Sequence, residues 1–87
     1  MTVLHMLGTQ CNVYSRAETR GHRAAVECVT TDKIDTTGDG VPDDVFIRTV
    51  VVTDRRGRYV CSFWQATGYN VDLIGGDCPS DPVGLLP

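Results

Sequence analysis

Ten residues, Asp35-Thr36-Thr37-Gly38-Asp39-Gly40-Val41-Pro42-Asp43-Asp44, hold the densest run of oxygen donors and turn formers in the chain. Counted from Asp35, side-chain oxygens fall at positions 1 (Asp35), 3 (Thr37), 5 (Asp39) and 9 (Asp43), with the Val41 carbonyl at position 7. That alternation suits a hard cation. Calcium takes about six to eight oxygens at roughly 2.3–2.6 Å, and alternate residues of a tight loop converge on one centre only if the backbone reverses midway. Gly40, at position 6, supplies the reversal, and Gly38 adds slack between two ligands. Residues 32–44 carry five Asp against one Lys, with no Arg. A solvated acidic turn is the plainer alternative, and the ligand spacing favours the cation.

The same ligand order occurs in EF-hand loops. Here, however, Phe46 stands at position 12, where an EF-hand needs a bidentate Glu, and no helical pattern flanks the run. The sequence Asp-x-Thr-x-Asp-Gly-x-x-Asp leading into a β-strand instead resembles the calcium hairpin loops of FG-GAP/VCBS-type β-repeats. It is similar also to thrombospondin type 3 and dockerin loops. The resemblance is confined to the loop. It implies a structural calcium site with ligands from Asp35, Thr37, Asp39, Val41 and Asp43, and it does not imply a propeller. Thr37 departs from the pattern, since a hydroxyl replaces the usual Asp or Asn at position 3, and Asp44 is a spare carboxylate that could compensate. No nucleophile or base stands nearby, so the expected role is to lock a hairpin, and the chain is expected not to be an enzyme.

A loop of this kind needs strands to hold it. Residues 26–34 are rich in β-branched types and predict one strand, and residues 45–53, with seven of nine positions β-branched, predict the next. Asp54-Arg55-Arg56-Gly57 is a compact turn returning into a strand over 58–65. Short connections demand antiparallel neighbours. Pairing Asp54 with Arg58 sets Val51 opposite Cys61 and Val52 opposite Val60, unless a bulge at Gly57 shifts the register and exchanges the faces. Residues 1–14 predict one or two short strands broken near Gly8-Thr9-Gln10, 66–70 a turn, and 71–74 a short edge strand. Ser15 and Glu18 match a capping box, which starts a short helix ending at Gly21; a wide exposed turn is the alternative. The expected fold is mostly β, a small antiparallel meander or sandwich with at most one short helix near residues 15–21. It forms a single domain over 1–87, with C-terminal coil over 79–87 and Leu85-Leu86-Pro87 either frayed or anchored on a neighbour.

A chain of 87 residues with 41% apolar content can pack a core, but a domain this small often needs a staple. Four cysteines offer one, in three connectivities. We favour Cys11 with Cys28 and Cys61 with Cys78, each closing a loop that adds ~3 kcal/mol by chain entropy. Nested pairing (Cys28 with Cys61, Cys11 with Cys78) and four reduced thiols stay open. The 17-residue spacing shared by the two pairs suggests a duplication. The surrounding residues do not carry it further, and coincidence is the better reading. No short Cys/His spacing supports zinc, and His5 and His22 are isolated.

Arg55, Arg56 and Arg58 gather at one turn, and Arg16, Arg20 and Arg23 in the early loop. They form either a solvated edge or a surface for an acidic partner, including the Asp loop of a second copy. Phe63 and Trp64 are adjacent in a strand and must face opposite ways. One belongs to the core, and the other suits an interface. Net charge of −3 argues against a nucleic-acid partner, and no run approaches the ~20 apolar residues of a membrane span. Met1–Gly8 lacks the basic start of a signal peptide, so either this export route is not used or the chain begins after a removed segment. The expected role is a non-enzymatic structural or binding module of an extracellular or particle surface, partnered by protein or by its own copies. Alternatives are an accessory domain or small subunit of a glycan-acting enzyme, and a small secreted inhibitor or toxin-like protein presenting residues 15–25 or 54–58.

Overall fold

The computed structural model describes residues 2–6 (as backbone), 9–19 and 23–83. Gly21, His22 and Leu85–Pro87, and the side chain of His5, lie outside this description. Six strands, β1 (Thr2–Met6), β2 (Thr9–Tyr14), β3 (Ala24–Ile34), β4 (Asp43–Thr53), β5 (Tyr59–Gly68) and β6 (Val71–Gly76), form one sheet in sequence order. Every neighbouring pair is antiparallel. The meander is thus the form realised, and no second sheet stacks on it among the described residues. Ser15 and Glu18 make a capping interaction, the Glu18 carboxylate accepting the Ser15 N–H at 3.0 Å. It closes only a 3-10 turn, Arg16–Glu18. A helix here would have too few turns to repay its nucleation.

The register of β4 with β5 corrects the simple expectation. The turn closes as foreseen, with Asp54 N–H donating to the Arg58 carbonyl at 2.9 Å. A shift then intervenes between Val52 and Thr53, where Thr53 faces Tyr59 and Val52 faces Cys61, so Val60 is the extra residue. Val51 therefore lies opposite Ser62, not Cys61. A bulge adds one residue to one strand and exchanges its faces beyond that point. As a result Cys61 and Phe63 share a face with Val52 and Val50, while Trp64 is turned to the other side.

The first face carries the core. Ala25, Val50, Val52 and Phe63 are buried there beneath Val83, with Tyr14, Val60, Cys61 and Cys78 packed at the margins. Val83 belongs to residues 77–83, which leave β6 and fold back across the sheet as a strap without strand structure. This layer keeps the thin sheet's apolar residues dry. Arg48, on the same face, holds the strap by donating two hydrogen bonds to Asp81, at 2.7 and 2.9 Å. Its Nε–H goes to Glu27, and the guanidinium lies over the Phe63 ring.

The second face is assembled from the alternate residues. Read across the strands, Val13, Val26, Val51 and Ser62 form one row. Cys11, Cys28, Thr49, Trp64 and Gly75 form the next, and Thr9, Thr30, Ile47, Ala66 and Leu73 the third. No charged side chain interrupts these rows. Trp64 lies over Gly75, where an added Cβ would meet the indole at 2.5 Å.

Candidate metal centre

The β3–β4 connection is the Asp loop. Ile34 and Asp43 face each other at the ends of the two strands, so residues 35–42 span a closed hairpin mouth. Gly38 and Gly40 take φ of 80° and 82°, the left-handed region that a β-carbon disfavours. Their reversals let the chain fold around its own first carboxylate. Asp35 Oδ1 accepts the N–H groups of Gly38 at 2.8 Å and Thr37 at 3.2 Å, and Oδ2 accepts that of Gly40 at 2.9 Å. Asp39 Oδ1 accepts the Val41 N–H at 2.9 Å. Asp43 Oδ2 accepts both the backbone N–H and the hydroxyl of Thr36, at 3.1 and 3.0 Å.

These bonds aim three carboxylates at one another. Ligand oxygens of Asp35, Asp39 and Asp43 lie within 4.8 Å of each other. Two oxygens bound to one calcium at roughly 2.3–2.6 Å can be at most about 5 Å apart, so the triple fits around one ion. Asp35 and Asp39 are exposed and Asp43 half-buried, which leaves the centre open to solvent. The Asp35 carboxyl is held below the usual carboxylate range, first by the Gly40 N–H and then by that of Gly38. A carboxylate fixed in its charged form is the state a cation needs.

The other sequence candidates fall in different places. Thr37 lies in the loop, its hydroxyl 3.4 Å from Asp35 Oδ1 as a hydrogen-bond donor. Val41 is exposed beside Asp39. Asp44 is not spare. It points to the opposite side of the strand from Asp43 and pairs with Lys33, its cross-strand partner. That pair also removes Lys33, the one cationic side chain of residues 32–44, from the three carboxylates. Thr36, which anchors Asp43, was not among the expected residues. Its signal was a hydroxyl directly after the first ligand, placed to reach across the mouth of the hairpin.

Both disulfides of the favoured pairing are present, and among the described residues no cysteine is free. Cys11 and Cys28 are directly opposite in β2 and β3, with a Cα separation of 4.0 Å. Cys61 and Cys78 instead tie β5 to the strap. One bridge lies on each face, so the equal spacing reflects no structural repeat. Arg58 folds back on Asp54 at 3.0 Å, while Arg55 and Arg56 are exposed at the turn. Phe63 is core, and Trp64 stays 38% exposed.

The network missed in sequence is Glu27–Arg48–Asp81. Burial pushes the Glu27 carboxyl up, but hydrogen bonds from Arg48 and Asn12, the Arg48 charge and the Tyr14 hydroxyl together bring it below its ordinary value. Its signal was a single Glu within 24–31 and a single Arg within 45–53, runs that are otherwise uncharged, since a buried charge needs a partner. The network has no nucleophile at its centre and organises the strap. No family model matches the chain, and neither does any curated protein or solved structure.

Proposed function

We propose that this chain is a non-enzymatic structural or binding module of an extracellular or particle surface. Its β3–β4 hairpin is locked by calcium and its faces by two disulfides. The observation that carries the reading is the convergence of Asp35, Asp39 and Asp43 within 4.8 Å at the mouth of a hairpin. An all-oxygen set of carboxylates with room for carbonyl and water is calcium chemistry rather than zinc chemistry. The loop precedes β4, the strand that carries Val50, Val52 and Arg48, so closing its mouth supports the strand on which the core is built. Two disulfides suit an oxidising compartment. Binding only to the folded state raises stability by mass action.

The test is a thermal melt in excess calcium and in chelator. Calcium is expected to raise the midpoint of the wild type and leave that of Asp39→Ala unchanged, with magnesium giving a smaller rise. Equal midpoints in calcium and chelator for the wild type retire the metal reading.

A further inference from the structure

The second face of the sheet has the composition of an interior and the exposure of a surface. Val26, Val51, Trp64 and Leu73 are 39%, 40%, 38% and 58% exposed, and Thr49 among them is exposed as well. Three rows across β2 to β5, two of them continuing onto β6, contain no charge. With strands about 4.8 Å apart and same-face residues about 6.8 Å apart, the patch has a footprint on the order of 500 Å². The footprint includes the hydroxyls of Thr9, Thr30, Thr49 and Ser62, so it is uncharged throughout and apolar in part. Its size is near the upper limit for such a patch on a free monomer.

The ends of the same sheet are oppositely charged. The β3–β4 hairpin end carries Asp32, Asp35, Asp39, Asp43 and Asp44 against the single cation Lys33. The β2–β3 connection and the β4–β5 turn place Arg16, Arg23, Arg55, Arg56 and Arg58 at the other, where Glu18 and Asp54 offset part of the positive charge. A single copy therefore carries an acid-to-base polarity along its strands.

We infer that this face is the contact between two copies of the chain, stacked sheet on sheet about a two-fold axis with their strands running oppositely. Two such patches bury on the order of 1,000 Å², the size at which a specific interface begins. Facing sheets pack about 10 Å apart through interdigitated side chains, and uncharged rows leave no ion stranded in the contact. The antiparallel arrangement sets the Arg turn of each copy beside the Asp loop of the other, and the two-fold makes both ends complementary at once. A parallel stacking would oppose like charges. The inference deepens the module reading by naming its partner. Its test reads mass and not cation binding, so either can fail alone.

The experiment is sedimentation velocity on the oxidised chain across a wide concentration range, with Trp64 emission followed in parallel. Trp64 is the single tryptophan and lies in the contact. The wild type is expected to pass from monomer to dimer as concentration rises, with a blue shift of the emission. Thr49→Lys should raise the dissociation constant on the order of a hundredfold, because each copy then buries an unpaired charge. Arg55→Glu with Arg56→Glu should weaken the dimer and remove most of its salt dependence. Ile74→Lys, also at an exposed position but on the strap side, should leave it intact. A wild type that stays monomeric throughout overturns the inference, as does a dimer indifferent to Thr49→Lys. Binding of Trp64 to lipid vesicles in place of self-association overturns it too. The emission shift is read on the wild type and tests the contact independently of how the variants fold.

Discussion

Arg48 grips Asp81 with two parallel hydrogen bonds, at 2.7 and 2.9 Å, across 33 residues of sequence. The fork geometry fixes direction as well as distance, so the strap can lie over the core in only one way. Arg48 also donates to Glu27, which Asn12 and Tyr14 hold from the neighbouring strand at 2.9 and 3.1 Å. One guanidinium thus joins β2, β3, β4 and the strap.

Removing that guanidinium should be costly. Arg48→Met leaves the buried Glu27 carboxylate without its main partner, and breaking such a pair costs about 3 kcal/mol. Asp81→Asn keeps a hydrogen-bond acceptor and should cost about 1 kcal/mol. Glu27→Gln added to Arg48→Met should recover part of the loss, because no unpaired charge then remains. Urea unfolding of these variants and of Glu27→Gln alone measures this. Additive losses for the double variant would show that Glu27 and Arg48 act independently.

The same carboxylate fixes a pH dependence. Glu27 ionises below its ordinary value of 4.5 in the folded chain. Between the folded and unfolded values the unfolded chain binds more protons, so stability rises with pH there. The contribution is complete above about the unfolded value and is lost as pH falls through the folded one. Asp35, Asp54 and Asp77 shift in the same direction, each chiefly through a backbone N–H (from Gly40, Arg58 and Ser62 respectively). Unfolding midpoints should therefore fall below pH ~4.5, the ordinary range of these acids. Glu27→Gln should flatten the fall without abolishing it, and an unchanged slope would remove Glu27 from the account.

The two disulfides should fail differently. Each closes a loop worth ~3 kcal/mol by chain entropy. Cys61→Ser with Cys78→Ser also frees the strap, and Val83 then leaves Val50 and Phe63. That variant should bind a hydrophobic dye while its sheet persists and should be cut by protease within residues 77–83. Cys11→Ser with Cys28→Ser removes a bridge between strands that are already paired, so it should lower the midpoint without dye binding. Equal dye binding by both would mean that the strap does not depend on its disulfide.

Local chemistry in this chain was legible because it is self-contained. Gly38 and Gly40 sit where the loop must reverse, and the favoured cysteine pairs are those that form. Strand positions followed from β-branched runs such as 45–53. Facing was not legible, because Val60 bulges within an ordinary-looking strand and one extra residue decides whether Phe63 or Trp64 enters the core. Asp44 was misassigned for a related reason. Successive strand residues point oppositely, so only the register shows that it meets Lys33 and not the loop. The Arg48–Asp81 pair spans most of two hairpins, and no spacing rule reaches that far.

A glycine comparison separates loop geometry from general strain. Gly40 and Gly57 have φ of 82° and 76°, and an added Cβ meets nothing within 4 Å at either. Alanine at each should therefore cost only the left-handed backbone penalty, about 1–2 kcal/mol. Gly40, however, donates its N–H to Asp35, and its turn lets the following Val41 N–H reach Asp39. Relaxing φ there turns both carboxylates away from Asp43. Gly57→Ala lies at the opposite end of β4, in the Arg turn, and touches no carboxylate of the triple. Thermal melts in calcium and chelator should show both variants less stable than the wild type, with the calcium-dependent rise kept by Gly57→Ala and largely lost in Gly40→Ala. If Gly40→Ala keeps the full rise, the three carboxylates do not depend on the reversal at that residue.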